Sequence, residues 1–326
     1  MRHAIGVDLG GTKTAAGLVS EHGDVVFSET IPTLSREGGE AILNATAEFV
    51  LRLRRRAASA GLGVTGIGVG SAGVIDAARG TVVSATEAIR GWAGTDVASG
   101  LARRTGLRTA VVNDVHAHAL GEAWRGAAAP TSSSLLIAFG TGVGGSFVVN
   151  GRPLLGHRWV GGHVGHLASP FARDADGSPL PCVCGAAGHV EAIASGPALH
   201  AEYLRRGGDP AVADARGVFA LAQGAGGSAG DSTARAAVSV AAQAAGQAAG
   251  GLANALDPEA MVISGGLADA GPLWWDAMEA AFRAELMPPL ASMPLLRASL
   301  GGAAALIGAA RLVLTPEILT PAKGLL

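Results

Sequence analysis

Apolar and polar positions fall along the chain in short blocks, and the period of each block predicts its element. Three apolar runs open the sequence: HAIGVDL at 3–9, TAAGLVS at 14–20 and DVVFSET at 24–30. Tight glycine-bearing turns separate them, so they read as strands. From about Gly39 to Ala60 apolar residues recur at helical spacing, and Arg52 to Arg56 form a solvated helix end. Strands at 65–70 and 108–113 follow, with a helix near 95–105 between them. A second series begins with the strand SSSLLIAFG (132–140), the glycine turn TGVGG and the hairpin partner SFVVNG (146–151). Helices are expected at 191–206, 213–223, 232–256, 272–287 and 302–313, with strands at 260–266 and 294–300. RGGDPAVADARG and QGAGGSAGDST read as surface connections, the second flexible by composition.

Strands alternating with helices indicate α/β lobes. A strand–glycine-turn–strand unit occurs twice, as DLGGTKTAAGLV and FGTGVGGSFVV. With 326 residues the chain is long enough for two lobes, and a glycine hairpin on each suggests a cleft between them. Hydrophobic residues at 49% and charged residues at 15% suit a packed protein rather than a disordered one. A net charge of −2 gives no reason to expect nucleic acid or an anionic membrane as a partner. The start lacks the apolar core of a secretory signal, and no run approaches the ~18–20 apolar residues of a membrane span. Cys182 and Cys184 are two positions apart, which suits metal binding in a reducing compartment better than a disulfide. The expected location is the cytoplasm.

Backbone amides of glycine turns approach an anion closely because no Cβ intervenes. In the first turn Gly10, Gly11 and Thr12 supply such donors, and Lys13, one of only two lysines, adds a point charge. Thr141 and Gly142 do the same in the second. Asp8, at the end of its strand, is placed to hold Mg²⁺ through water. Hairpin turns alone would explain one such stretch; two of them, one flanked by Asp and Thr-Lys, point to nucleotide phosphates. Neither GxGxxG opening a helix nor GxxxxGK[ST] is present, so the dinucleotide-binding and Walker A readings fail. Asn113-Asp114 after the run TAVV reads either as a strand-to-helix cap or as a catalytic pair. Within WVGGHVGHLASPFARDADGSPLPCVCGAAGHVE (159–191), His166, Cys182, Cys184 and His189 form a possible zinc set.

These motifs together resemble the ROK sugar kinases over nearly the whole chain. DLGGTKT (8–14) and FGTGVGG (139–145) resemble the family's two phosphate motifs, and VVNDVHAHALGE (111–122) the stretch with its catalytic aspartate. GHVGHL and CVCGAAGHVE resemble the sugar-contact and zinc motifs. LDPEAMVISGG (256–266) resembles the adenosine-side strand and turn, and GAAALIGAARL (302–312) the closing helix. The resemblance implies a two-lobed actin- and hexokinase-like (ribonuclease H-like) ATPase fold. A small N-terminal lobe of 1–115 would receive 303–326 back, and 116–302 would form the larger lobe with the zinc loop. It implies phosphoryl transfer from ATP with Mg²⁺ to a sugar hydroxyl, usually on C6, in a homodimer. Asp114 would take the proton; Asn113, Gly73, His163, His166 and Glu191 would line the sugar; Gly265 and Gly266 would flank the adenosine. His166, Cys182, Cys184 and His189 would hold a structural zinc.

The chain departs from the family pattern at several positions. His163 stands where a glutamate is common, and a neutral imidazole donates one bond and accepts one, whereas a carboxylate only accepts. That exchange implies an amino or acylamino sugar, including one aminated at C3 such as 3-amino-3-deoxyglucose (kanosamine). The alternatives are a glucokinase or an N-acetylhexosamine kinase. His189 replaces a zinc-ligating cysteine, Ala72 a proline and His116 an asparagine, while His3, His118 and His157 read as structural or surface residues. A sugar-sensing repressor would need a helix-turn-helix segment ahead of the first strand, for which a strand starting at residue 3 leaves no room. Asp8, Lys13, Asn113 and Asp114 argue against a non-catalytic sugar-binding protein. Polyphosphate is an alternative donor to ATP.

Overall fold

The computed structural model describes residues 1–224 and 230–319. Along the chain, β1 (His3–Leu9), β2 (Lys13–Ser20) and β3 (Val25–Pro32) precede α1 (Gly39–Ser59). Next come β4 (Val64–Ser71), β5 (Val74–Asp76), β6 (Thr81–Ser84), α2 (Val97–Thr105), β7 (Thr109–Asn113) and α3 (Asp114–Arg125). Then follow β8 (Ser133–Phe139), β9 (Val143–Val149), β10 (Arg152–Pro153), α4 (Glu191–Ala194), α5 (Gly196–Arg205) and α6 (Ala215–Gln223). The described chain closes with α7 (Ser232–Leu256), β11 (Ala260–Ser264), α8 (Pro272–Glu285), β12 (Leu295–Arg297) and α9 (Ala304–Leu314). Two units emerge: Met1–Ser133 with Ser146–Gly162 and the chain from Ala298 onward, and Ser134–Gly145 with His163–Arg297.

In the first unit the sheet order is β3-β2-β1-β4-β7, with β1 antiparallel to β2 and parallel to β4, and β4 parallel to β7. β1 is central, which explains its apolar character: Ile5, Val7 and Leu9 are all fully buried. Phe49, Val50 and Leu53 of α1 cover one side of this core. α9 lies on the sheet at backbone contact. A Cβ at Gly6 or Gly68 would overlap the carbonyl oxygens of Leu306 and Ala309, so larger residues there would push the helix off. Glu122 of α3, a buried carboxylate that sequence reading passed over, accepts hydrogen bonds from Ala127 N (2.8 Å), Ser299 N (3.0 Å) and Leu300 N (2.9 Å). It anchors the chain where it re-enters this unit.

The second sheet has the order β10-β9-β8-β11-β12, with β11 parallel to both β8 and β12. Ala260 through Ile263 of β11 are fully buried, and Trp274 of α8 tilts against Phe139 at the end of β8. α7 is rich in alanine and glycine because it packs closely: Gly246 and Gly250 face the backbone of α8. Its start is capped by Asp231, which accepts from Ala234 N at 2.6 Å.

Several expected elements need correction. The helix expected over 191–206 is broken at Ser195, which is extended and caps α5 by accepting from Ala198 N at 3.2 Å, with Pro197 in the new first turn. The hairpin β5–β6 was not foreseen, its strands being three and four residues long. The strand expected over 294–300 shortens to Leu295–Arg297, and the closing helix begins as a 3₁₀ turn at Gly301–Ala303. Residues 225–229 of the flexible connection and 320–326 of the returning C-terminal segment lie outside the described residues.

Candidate active site

In the first unit the parallel strands β1, β4 and β7 end together: Asp8 pairs in register with Gly70, and Ser71 with Asn113. Carboxyl ends of parallel strands are where α/β folds gather functional groups, and Asp8, the Gly10–Thr12 turn, Gly73, Asn113 and Asp114 all follow from those ends. Gly10 N bonds Lys13 O at 3.2 Å, closing the first glycine turn, and the Lys13 side chain at the start of β2 is exposed. The segment after β4 is fixed by the buried Trp92, whose Nε1 donates to Ser71 Oγ and Ala72 O, both at 3.2 Å.

Asn113 caps α3, its Oδ1 accepting from Val115 N at 2.9 Å, while its Nδ2 donates to Gly73 O at 2.9 Å. The cap reading of Asn113-Asp114 is therefore what the backbone does, and the cap is also what aims Asp114. Asp114 Oδ1 accepts from Val115 N at 2.9 Å. Burial, and next the nearby Asp8 carboxylate, raise the Asp114 pKa to about 6. Burial also raises that of Asp8, opposed by the Lys13 ammonium. Asp114 is thus a carboxyl with more affinity for a proton than an exposed aspartate, as a general base near neutral pH requires. His116, two residues on and buried, bonds Gly161 O through Nε2 at 2.9 Å.

In the second unit the glycine turn joins β8 to β9. Gly140 N bonds Gly142 O at 2.9 Å, and Gly140 O accepts from Gly196 N at 2.8 Å at the start of α5. Thr141 and Gly142 are exposed at its tip. A cavity of about 780 Å³ opens beside them, lined by Thr141, His200, Arg216, Phe219, Gln223 and Gly266 among others. Its volume lies in the range of small-molecule sites. Gly265, directly after β11, has φ +88° and turns the chain. His200, Arg216 and Gln223 carried no sequence signal, because α5 and α6 read as ordinary amphipathic helices.

His166, Cys182, Cys184 and His189 offer four ligand atoms that all lie within 4.8 Å of one another. Cys182 Sγ is 3.6 Å from His166 Nδ1, and Cys184 Sγ is 3.3 Å from His189 Nδ1. Two thiolates and two imidazoles converging this closely fit a tetrahedral zinc without an open position. A bridge between Ala168 and His189 and the bond from Ser169 N to Gly188 O (2.8 Å) tie the two ends of the loop. The His163 ring lies 6.3 Å from that of His166 with planes 27° apart. Glu191, first residue of α4, has its Oε2 against the second glycine turn, accepting from Val143 N at 2.7 Å.

The chain is similar to known proteins over nearly its whole length. The family model described as "ROK family" matches residues 4–316. The glucokinase of Thermotoga maritima is 31% identical over 297 residues, 87% of this chain and 88% of that protein. The N-acetyl-D-glucosamine kinase of Escherichia coli is 30% identical over 315 residues, 95% of this chain and 99% of its own. A ROK family glucokinase from Streptomyces griseus, solved with glucose and AMPPNP, superposes with a TM-score of 0.77 at 30% identity, covering 95% of this chain and 98% of its own. The α/β, two-unit hexokinase-like fold expected from the motifs is the fold of these kinases. With the match spanning nearly the whole sequence, the chain belongs to the ROK family.

Proposed function

We propose that this protein transfers the γ-phosphoryl group of ATP to the 6-hydroxyl of a hexose or amino sugar. The observation that carries this reading is Asp114, whose raised proton affinity sits where the parallel strands end, beside Asp8 and the first glycine turn. Phosphoryl transfer needs alignment, neutralised charge and a group that takes the hydroxyl proton. Asp114 takes that proton, and Asn113, whose Oδ1 caps the helix, keeps it aimed. Amides of Gly10, Gly11, Thr12, Thr141 and Gly142 with the Lys13 ammonium attract donor phosphates. Asp8 holds Mg²⁺, which when bound neutralises phosphate charge. Thr141 and Gly266 border the cavity that takes the nucleoside, and Gly265 precedes Gly266 directly after β11. His163, His166 and Glu191 contact the sugar, and zinc, when bound by the His/Cys set, supplies a cross-link that fixes the loop carrying them. The relatives named glucokinase and N-acetylglucosamine kinase support a hexose or hexosamine acceptor.

His163 gives the reading its finer form. A neutral imidazole offers both a donor and an acceptor to the ring edge, which suits an amino or acylamino substituent, including 3-amino-3-deoxyglucose. The imidazole must be neutral at working pH, since His⁺ would repel an ammonium group. His163→Glu is expected to shift preference toward unsubstituted glucose, measured as kcat/KM ratios on glucose and amino sugars. An unchanged order of preference would remove His163 from specificity. Phosphorus–proton correlation NMR of the product identifies the phosphorylated position, and phosphate on any oxygen other than that of C6 would overturn the regiochemistry.

Asp114 also predicts a pH profile. As base it must be ionised, so kcat/KM for the acceptor should fall as pH drops through about 6 in the protein free of ligands. Asp8 is one cause of the raised value, so any residual activity of Asp8→Asn should show its inflection at lower pH. An acid limb unmoved by that substitution would assign the limb to another group.

A further inference from the structure

Glu191 belongs, on the reading above, to the sugar side of the site, yet its carboxylate reaches the second glycine turn. Oε2 accepts from Val143 N at 2.7 Å, the distance of a charge-assisted bond. A Cβ placed on Gly142 would come 2.7 Å from the same oxygen, so a side chain there would displace the carboxylate from this position. Glu191 is itself fixed by the metal loop. Val190 N bonds Leu167 O at 2.9 Å, next to His166, and Ala192 N bonds His189 O at 3.0 Å. A short path of bonds thus runs from two of the four metal-site residues through Glu191 to the turn that presents Thr141 and Gly142, all within the second unit.

We propose that Glu191 is a positioning residue for the donor-phosphate turn, in addition to any contact with the acceptor. The inference rests on the kinase reading for what the turn binds, and on the geometry alone for the strap itself. Val143 is a buried residue and its N–H bond to the carboxylate is part-buried, so removing the carboxylate deprives that N–H of its protein partner. The turn must then rearrange to satisfy it, and the amides of Thr141 and Gly142 lose their alignment. Oε2 is engaged with the backbone, which leaves Oε1 for a sugar hydroxyl. One carboxylate then serves both substrates, and zinc that orders the loop would favour nucleotide binding as well as sugar binding.

Charge and positioning make opposite predictions, which permits a clean test. A carboxylate close to phosphates repels them; if charge were its only effect, removing it would tighten nucleotide binding. If it positions the turn, Glu191→Ala weakens binding of Mg²⁺·AMPPNP by roughly tenfold or more in the absence of any sugar. Glu191→Gln keeps an oxygen acceptor for Val143 N–H, so its nucleotide affinity stays at the wild-type value or rises. Calorimetry on both variants, with zinc content and melting temperature checked first, gives this comparison. Hydrogen exchange on the unliganded proteins reads the strap directly: the Val143 amide should exchange slowly in the wild type and Glu191→Gln, and fast in Glu191→Ala. Equal nucleotide affinity in wild type and Glu191→Ala would overturn the proposal, as would an unchanged Val143 exchange rate. A wild type that binds AMPPNP with this pattern but phosphorylates no sugar would refute the kinase reading and leave the strap standing.

Discussion

Asp114→Asn is expected to lower turnover by roughly 10²–10⁴-fold or more while the protein stays folded and binds sugar and nucleotide. The amide matches the carboxylate in shape and keeps the oxygen that accepts from Val115 N, so α3 keeps its first turn. What it loses is the capacity to take a proton. Stability should move the other way. Asp114 has a folded-state pKa of about 6 against an ordinary value of 3.8, so it binds its proton more tightly in the folded protein. Folding is therefore favoured by this group only below pH 3.8. That contribution is lost as pH rises through 3.8 to about 6, and above this range the ionised group carries its full burial penalty. At pH 8 the asparagine variant should melt a few degrees higher than the wild type, with the gap closing as pH falls toward 4. Near-normal turnover would remove Asp114 from the mechanism; a variant that melts lower at pH 8 would show that the carboxylate stabilises the fold instead of straining it.

Removal of the metal should have the second-largest effect. The loop from His163 to Glu191 contains little regular structure among its described residues, only a 3₁₀ turn at Val164–His166 and isolated bridges. Most of its side chains between Arg173 and Ala187 are exposed, so apolar burial does not hold it. Four metal bonds would supply what the missing core does not. Stripping the protein with a chelator, or Cys182→Ser, is expected to lower the melting temperature by roughly 10 °C and to raise the KM for sugar more than it lowers kcat. The bound-metal content is the independent readout: one zinc per chain in the wild type and none in the variant. Protein purified without zinc that melts and binds sugar normally would make the His/Cys set an ordinary surface cluster.

Both predictions concern residues that were legible in the sequence, for a physical reason. Asn113-Asp114 closes the run TAVV, and a polar pair there must cap a helix or act chemically. The structure shows that Asn113 caps, and thereby places Asp114. The metal set was legible because two cysteines and two histidines cluster within 24 residues of one another, a span read directly from His166 to His189. β1 was legible because its central place in the sheet requires the apolar run from Ala4 to Val7. Other features were hidden because they depend on tertiary neighbours. Glu122 looks like a surface residue of α3 until the return of Ser299 and Leu300 surrounds it. The break between α4 and α5 lay in a single serine whose hydroxyl competes with the helix for a backbone amide. Arg216 and Gln223 line the cavity only because α6 packs with the face that carries them, and Phe219, toward it. The contact between Glu191 and Val143 joins residues 48 positions apart, and no local pattern announces it.

Phosphoryl transfer from ATP to a sugar releases ADP, and sugar-dependent ADP release is the measurement to make. Folded, zinc-loaded protein with ATP and Mg²⁺ should be assayed against glucose, mannose, glucosamine, N-acetylated hexosamines and 3-amino-3-deoxyglucose. The expected result is sugar-dependent ADP formation with a clear preference for one amino or acylamino sugar, abolished in Asp114→Asn. No sugar-dependent ADP from any of these, in protein that binds AMPPNP, would contradict the account.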